Sequence, residues 1–149
     1  MNVEALFTKI ESHALSLGRF DQVNRHEPKN APGNQLTAAI WVQQIGPAIG
    51  SGLAATDARV EFTVRIYSNM LAEPQDAIDP NILSATDVLM SAYQGDFTLD
   101  GTIKAVDLLG MAGAPLGAQA GYLTQDNTLY RVMDITLPLL IADAWVQAA

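Results

Sequence analysis

Arg59-Val60-Glu61-Phe62-Thr63-Val64-Arg65-Ile66-Tyr67 decides the fold. Val60, Phe62, Val64 and Ile66 alternate with Glu61, Thr63, Arg65 and Tyr67, which is the period-two pattern of a strand with one face in a core. Its other face is amphipathic and mixed in charge. Upstream, Leu36 to Ile45 is rich in β-branched and aromatic residues and has no helix cap before it, so it predicts a second strand. Ile40 and Val42 share one face of it and Trp41 and Ile45 the other, so both faces are expected to be partly covered. Gly46 to Ala58 between the two strands reads as a long Gly/Ala/Ser loop.

Working outward, Val3, Leu6, Phe7, Ile10, Ala14 and Leu17 recur at helical spacing, and Gly18 suits the left-handed cap position. Arg19 to Arg25 is a weak strand signal. His26 to Asn34, with Pro28, Pro32 and Gly33, is a loop. After a connection from Ser68 to Ile78, Asp79-Pro80 opens a central helix, with Asp79 as N-cap. Its buried stripe is Ile82, Leu83, Thr86, Leu89, Met90 and Tyr93, and Gly95 ends it. Asp100-Gly101 marks a turn, Thr102 to Leu109 a strand, and Gly110 to Gly121 an irregular segment. Tyr122 to Gln125 and Leu129 to Leu137 form a hairpin across Asp126-Asn127. Pro138 would confine any continuation to an edge or a bulge. Leu139 to Val146 is open between strand and helix.

The expected class is therefore α+β. It is a mainly antiparallel twisted sheet of about five strands, with an N-terminal helix and a central helix packed on one face. At 149 residues, without repeats or a low-complexity linker, residues 1–149 form a single domain. Hydrophobic residues at 49% and charged ones at 16% exclude intrinsic disorder. The absence of cysteine excludes disulfides, thiolate zinc sites and a cysteine nucleophile.

Sixteen acids against eight bases give a net charge of −8, which disfavours a grip on nucleic acid or anionic lipid. Met1 to Leu17 has no signal-peptide run. Leu36 to Thr56 and Leu108 to Gln125 carry no charge, but Gly, Pro, Gln and Ser interrupt both, so neither reads as a membrane span.

Motifs of catalysis are missing. There is no HExxH, GxSxG or Gly-Lys-Ser/Thr, and Gly110, Gly113, Gly117 and Gly121 do not fit a dinucleotide fingerprint. His13 and His26 lack ligand spacing. Asp96 with Asp100, and Asp57 with Glu61, are the carboxylate pairs worth testing for acid/base chemistry. No metal, cofactor or catalytic residue is assigned, and the chain does not read as an enzyme.

Several segments together are similar to the tail terminator (tail completion) proteins of long-tailed bacteriophages. They are the N-terminal amphipathic helix, the His26 to Gly33 loop, Leu36 to Val42, Arg59 to Tyr67 and the Asp79-Pro80 helix. Val106 to Gly110, and Tyr130 to Asp134 running into Leu137-Pro138-Leu139, complete the likeness. It covers nearly the whole chain. It implies a structural virion protein that forms a homo-oligomeric ring of about six copies at the head-proximal end of the tail tube. Such a ring stops tube growth and joins the tail to the head connector.

Its partners would be the tail tube protein and the head–tail connector protein. DNA would pass through the lumen without specific binding, and no membrane would be involved. The location would be the virion tail, and the host cytoplasm during assembly. Trp41, Arg59, Glu61, Arg65 and Tyr67 are the candidate subunit-interface residues, because complementary charge and aromatic anchors suit a patch between subunits. The nearest alternative is a head–tail adaptor or tail tube subunit. From another class, a small ligand-binding protein or hydrolase would show an enclosed polar pocket.

Overall fold

A computed structural model describes residues 1–27, 36–48, 55–70 and 78–146. Most of the loop expected at His26 to Asn34, the middle of Gly46 to Ala58 and most of the Ser68 to Ile78 connection lie outside the described residues. The class is α+β, with two helices and one sheet among the described residues.

Helix α1 spans Val3–Ser16. The Asn2 side chain caps it by accepting a hydrogen bond from the Ala5 N–H at 3.1 Å. Gly18 closes it at φ +66°, as its position past the apolar stripe predicts. Leu6, Ile10 and Ala14 are buried.

Helix α2 spans Ile78–Gly95, so Asp79 lies in its first turn rather than at the cap. There a carboxylate still complements the helix dipole, and it pairs with Arg131 at 3.1 Å. The buried stripe runs through Ile82, Ala85, Thr86, Leu89 and Tyr93. Leu83 is exposed. It stands about 100° round the helix from Ile82, and Ala85 fills the place expected of it.

The strands are β1 (Gln22–Asn24), β2 (Thr37–Pro47), β3 (Ala55–Asn69), β4 (Ala105–Val106), β5 (Gly117–Gln125) and β6 (Thr128–Val146). They make a six-stranded sheet in the order β1-β2-β3-β6-β4, with β5 also on β6. The expectation of about five, mainly antiparallel strands is close: the described residues give six, and the one parallel pair, β1 with β2, makes the sheet mixed.

The even residues of β3 (Val60, Phe62, Val64 and Ile66) and Ile135, Leu137 and Leu139 of β6 face both helices in one core. Phe7 of α1 meets Phe62 edge-on at 5.2 Å. The buried Tyr93 hydroxyl of α2 donates to the Ile10 carbonyl at 3.4 Å, and burial raises its pKa.

Other boundaries moved for identifiable reasons. β2 is buried only over Thr37 to Ile40. A bulge lies between Val42 and Gln44, and Val42 and Ile45 are exposed. Gly46-Pro47 and Ala55 to Ala58, read as loop, belong to β2 and β3. Only Ala105 and Val106 of the strand expected at Thr102 to Leu109 pair with β6. The chain before them is tied in turns through Leu99, Asp100 and Gly101, all at positive φ.

Gly117 to Gly121, read as irregular, begins β5. The Asp126-Asn127 hairpin is as expected, with φ +50° and +60°. Pro138 sits within β6, which is not an edge strand. Its carbonyl accepts from the Asp107 N–H at 2.9 Å, so its ring nitrogen also points to that side, where β5 has ended and β4 is short. No hydrogen bond to β3 is lost. Leu139 to Val146 is strand.

Candidate interaction face

Because strand side chains alternate, the odd residues of β3 and their cross-strand partners form the sheet face turned away from both helices. All five candidate residues, Trp41, Arg59, Glu61, Arg65 and Tyr67, stand on it or at its rim. The structure divides them by burial.

Arg65 lies opposite Asp134 of β6 and holds it with two hydrogen bonds, Nε to Oδ1 at 2.5 Å and Nη2 to Oδ2 at 3.0 Å. This pairing raises the guanidinium's pKa, so Arg65 stays charged at any working pH. Its guanidinium also lies 5.1 Å from the Trp41 ring centre and 5.9 Å from that of Tyr67. Glu27 approaches it at 3.7 Å.

Tyr67 is buried at 1% exposure and meets the Tyr130 ring edge-on at 6.1 Å. With Ala39 and Val132 these tyrosines make a second, small apolar cluster, flanked by Trp41 and Leu123.

Arg59 is buried as well, at 8% exposure. It reaches Asp107 at 3.3 Å, Glu61 at 3.1 Å and the Ala114 carbonyl. Asp107 in turn accepts the N–H groups of Met111 at 2.8 Å and Ala112 at 3.1 Å. Burial pushes the Asp107 carboxyl up, but these N–H donors and Arg59 outweigh it, and its pKa is lowered. Arg59 and Asp107 therefore brace the loop from Asp107 to Leu116. Gly113 lies so close that a Cβ there would stand 2.6 Å from the Arg59 Cζ.

The braced loop walls a groove of about 460 Å³ that includes Trp41, Thr63, Arg65, Gln119 and Asp134. Leu109 and Met111 project from the same loop at 85% and 83% exposure.

The remaining candidates stand apart. His13 of α1 bonds Asp96 at 2.8 Å, and Lys9 bonds Asp100 at 3.0 Å, fastening α1 to the turn after α2. Hydrogen bonding by the Asp100 N–H, with His13, lowers the Asp96 pKa. His26 is exposed. Asp57 is buried and held by Lys104 at 3.2 Å and the Asp143 N–H at 2.9 Å. Among the described residues no group of three or more His, Cys, Asp or Glu is placed to hold a metal, and no helix is long and apolar enough to cross a membrane.

Asp107 and Asp134 are site residues that sequence reading missed. Their cross-strand and loop-to-strand partners lie far away in sequence, and no local spacing announces them. The fold and this face define a one-sided α+β sheet protein. Compared with known proteins, the chain matches no protein-family model and no curated protein.

Proposed function

We propose that the chain is a structural subunit of a phage tail, of the tail terminator kind, and that it acts without catalysis. Copies form a ring that caps the tube at its head-proximal end, stops its growth and joins it to the head connector. The observation that carries this reading is the sheet face turned away from both helices. Trp41, Glu61 and Arg65 are offered there at a groove, and the braced loop beside it carries Leu109 and Met111 into solvent. Exposed apolar side chains on a loop whose backbone is braced suit a docking surface, because covering them removes apolar area from water.

Arg59 and Tyr67 are buried within the chain itself, so their part is to position the face rather than to touch a partner. An acidic chain, at −8, would line a lumen that does not retain DNA.

Electron microscopy of a lysate from a phage lacking this protein tests the reading. Overlong tubes beside filled, tailless heads are expected. Normal-length unattached tails would indicate an adaptor instead, and an absence of tubes the tube subunit. Intact virions would overturn the assembly reading.

A further inference from the structure

The two charge-free stretches, Leu36 to Thr56 and Leu108 to Gln125, supply the core only in part: Thr37 to Ile40 are buried and Leu108 and Leu116 pack against the core, whereas Val42, Ile45 and Tyr122 are exposed. The fold places one in β2 and the other in β5, on opposite margins of the same sheet. β1 covers the outer side of β2 only at Thr37 to Ala39. From Ile40 to Gly46, β2 has no further strand beside it among the described residues, and neither has the outer side of β5 from Ala118 to Thr124. Open edges in soluble proteins are ordinarily guarded by charge or proline. β5 (Gly117–Gln125) contains neither, and β2 has only Pro47 at its end and the bulge near Gln43.

We infer that these two edges are the surface by which the chain binds a second copy of itself, β5 of one copy adding to β2 of the next. Three features favour this occupant. First, copies carrying −8 each repel one another, and these margins let backbones meet without bringing like charges together. Second, the directions agree. β2, β3, β6 and β5 are successively antiparallel, so β5 runs opposite to β2. A copy set alongside in the same orientation presents its β2 antiparallel to that β5, and the sheet continues with its helices on one side.

Third, the faces match. On the helix side, exposed Val42 and Ile45 would lie beside Ala118, Ala120 and Tyr122. On the opposite side, Trp41 and Gln44 would lie beside Gln119, Gly121 and Leu123. Main-chain hydrogen bonds supply the attachment and these side chains the register. The contact is head-to-tail, so it closes into a ring or runs on as a filament. In that respect it rests on the ring reading and specifies its subunit contact.

The test uses the absence of native cysteine. Gln44→Cys and Gln119→Cys each place one thiol on an exposed edge position of the same face. A short bis-maleimide is added to each variant alone and to their mixture. The expected result is a cross-linked dimer in the mixture and none in either variant alone, lost when Ala120→Lys is added to the Gln119→Cys chain. Circular dichroism confirms that the lysine variant stays folded.

Cross-linking of a single variant with itself would mean a two-fold contact and overturn the head-to-tail assignment. An oligomer by native mass measurement that yields no cross-link would overturn the edge contact and leave the ring reading standing. A mixture that stays monomeric and uncross-linked at all concentrations would also overturn it. The lysate experiment decides the ring reading separately.

Discussion

Asp107→Ala removes the carboxylate that ties β4's exit to the loop carrying Leu109 and Met111. In the native chain this 3%-exposed group accepts two backbone N–H donors and the Arg59 Nε. Breaking a buried ion pair from one side costs about 3–5 kcal/mol, since it strands a charge. Arg59 keeps Glu61 and the Ala114 carbonyl, and the freed N–H groups of the loop can reach water, so the loss falls at or just below the bottom of that range.

The expected loss is ~2–3 kcal/mol, read as a lower urea midpoint at unchanged slope. For a chain of this size it corresponds to a fall in Tm of roughly 4–12 °C.

The effect depends on pH with a definite sign. The folded-state pKa of Asp107 is lowered from its ordinary 3.8, so its contribution is present above that value and lost as pH falls through the folded pKa. The gap in stability between wild type and variant is therefore wide at neutral pH and narrows below pH 3.8. A loss under about 0.5 kcal/mol at pH 7, the range of an ordinary surface change, would refute the bracing role. So would a gap that did not change with pH.

Three further outcomes are expected. Gly113→Ala sets a Cβ 2.6 Å from the Arg59 guanidinium carbon and should cost about 1–3 kcal/mol in urea unfolding, whereas Gly117→Ala, with only a 4.0 Å contact to the Pro115 carbonyl, should stay within roughly 0.5 kcal/mol. Equal losses at the two glycines would remove the steric argument. Asn127→Val puts a β-branched residue at φ +60° in the hairpin turn and should lower stability by about 1–2 kcal/mol, while Asn127→Gly should not; a calorimetric scan compares them. Leu109→Ser with Met111→Ser should leave the melting temperature nearly unchanged, because both side chains are already in water, yet abolish complementation of a phage lacking the protein; full complementation would detach this loop from the proposed function.

The sequence by itself determined what is periodic and local. The alternation from Val60 to Ile66 announced the central strand, the apolar spacing from Val3 to Leu17 announced α1, and Asp126-Asn127 announced a hairpin turn, whose two residues prove to lie at positive φ. Each signal rests on neighbours a few residues apart, which is the range over which backbone geometry repeats. Tertiary structure decided the rest. β5 carries little apolar alternation because its side chains are mostly exposed, so only its ladder with β6 shows it to be a strand. Pro138 is tolerated inside β6 because its missing N–H faces the gap between β5 and β4. Leu83 lost its place in the core to Ala85 because the packing of α2 chose the centre of a broad stripe. Trp41, Arg59, Glu61, Arg65 and Tyr67 were legible as one mixed face, but which of them are buried was not. That depended on Asp107 and Asp134, which reach Arg59 and Arg65 across 48 and 69 residues of chain. Charge pairs at such separations leave no spacing in the sequence, because only the register of the folded sheet brings them together.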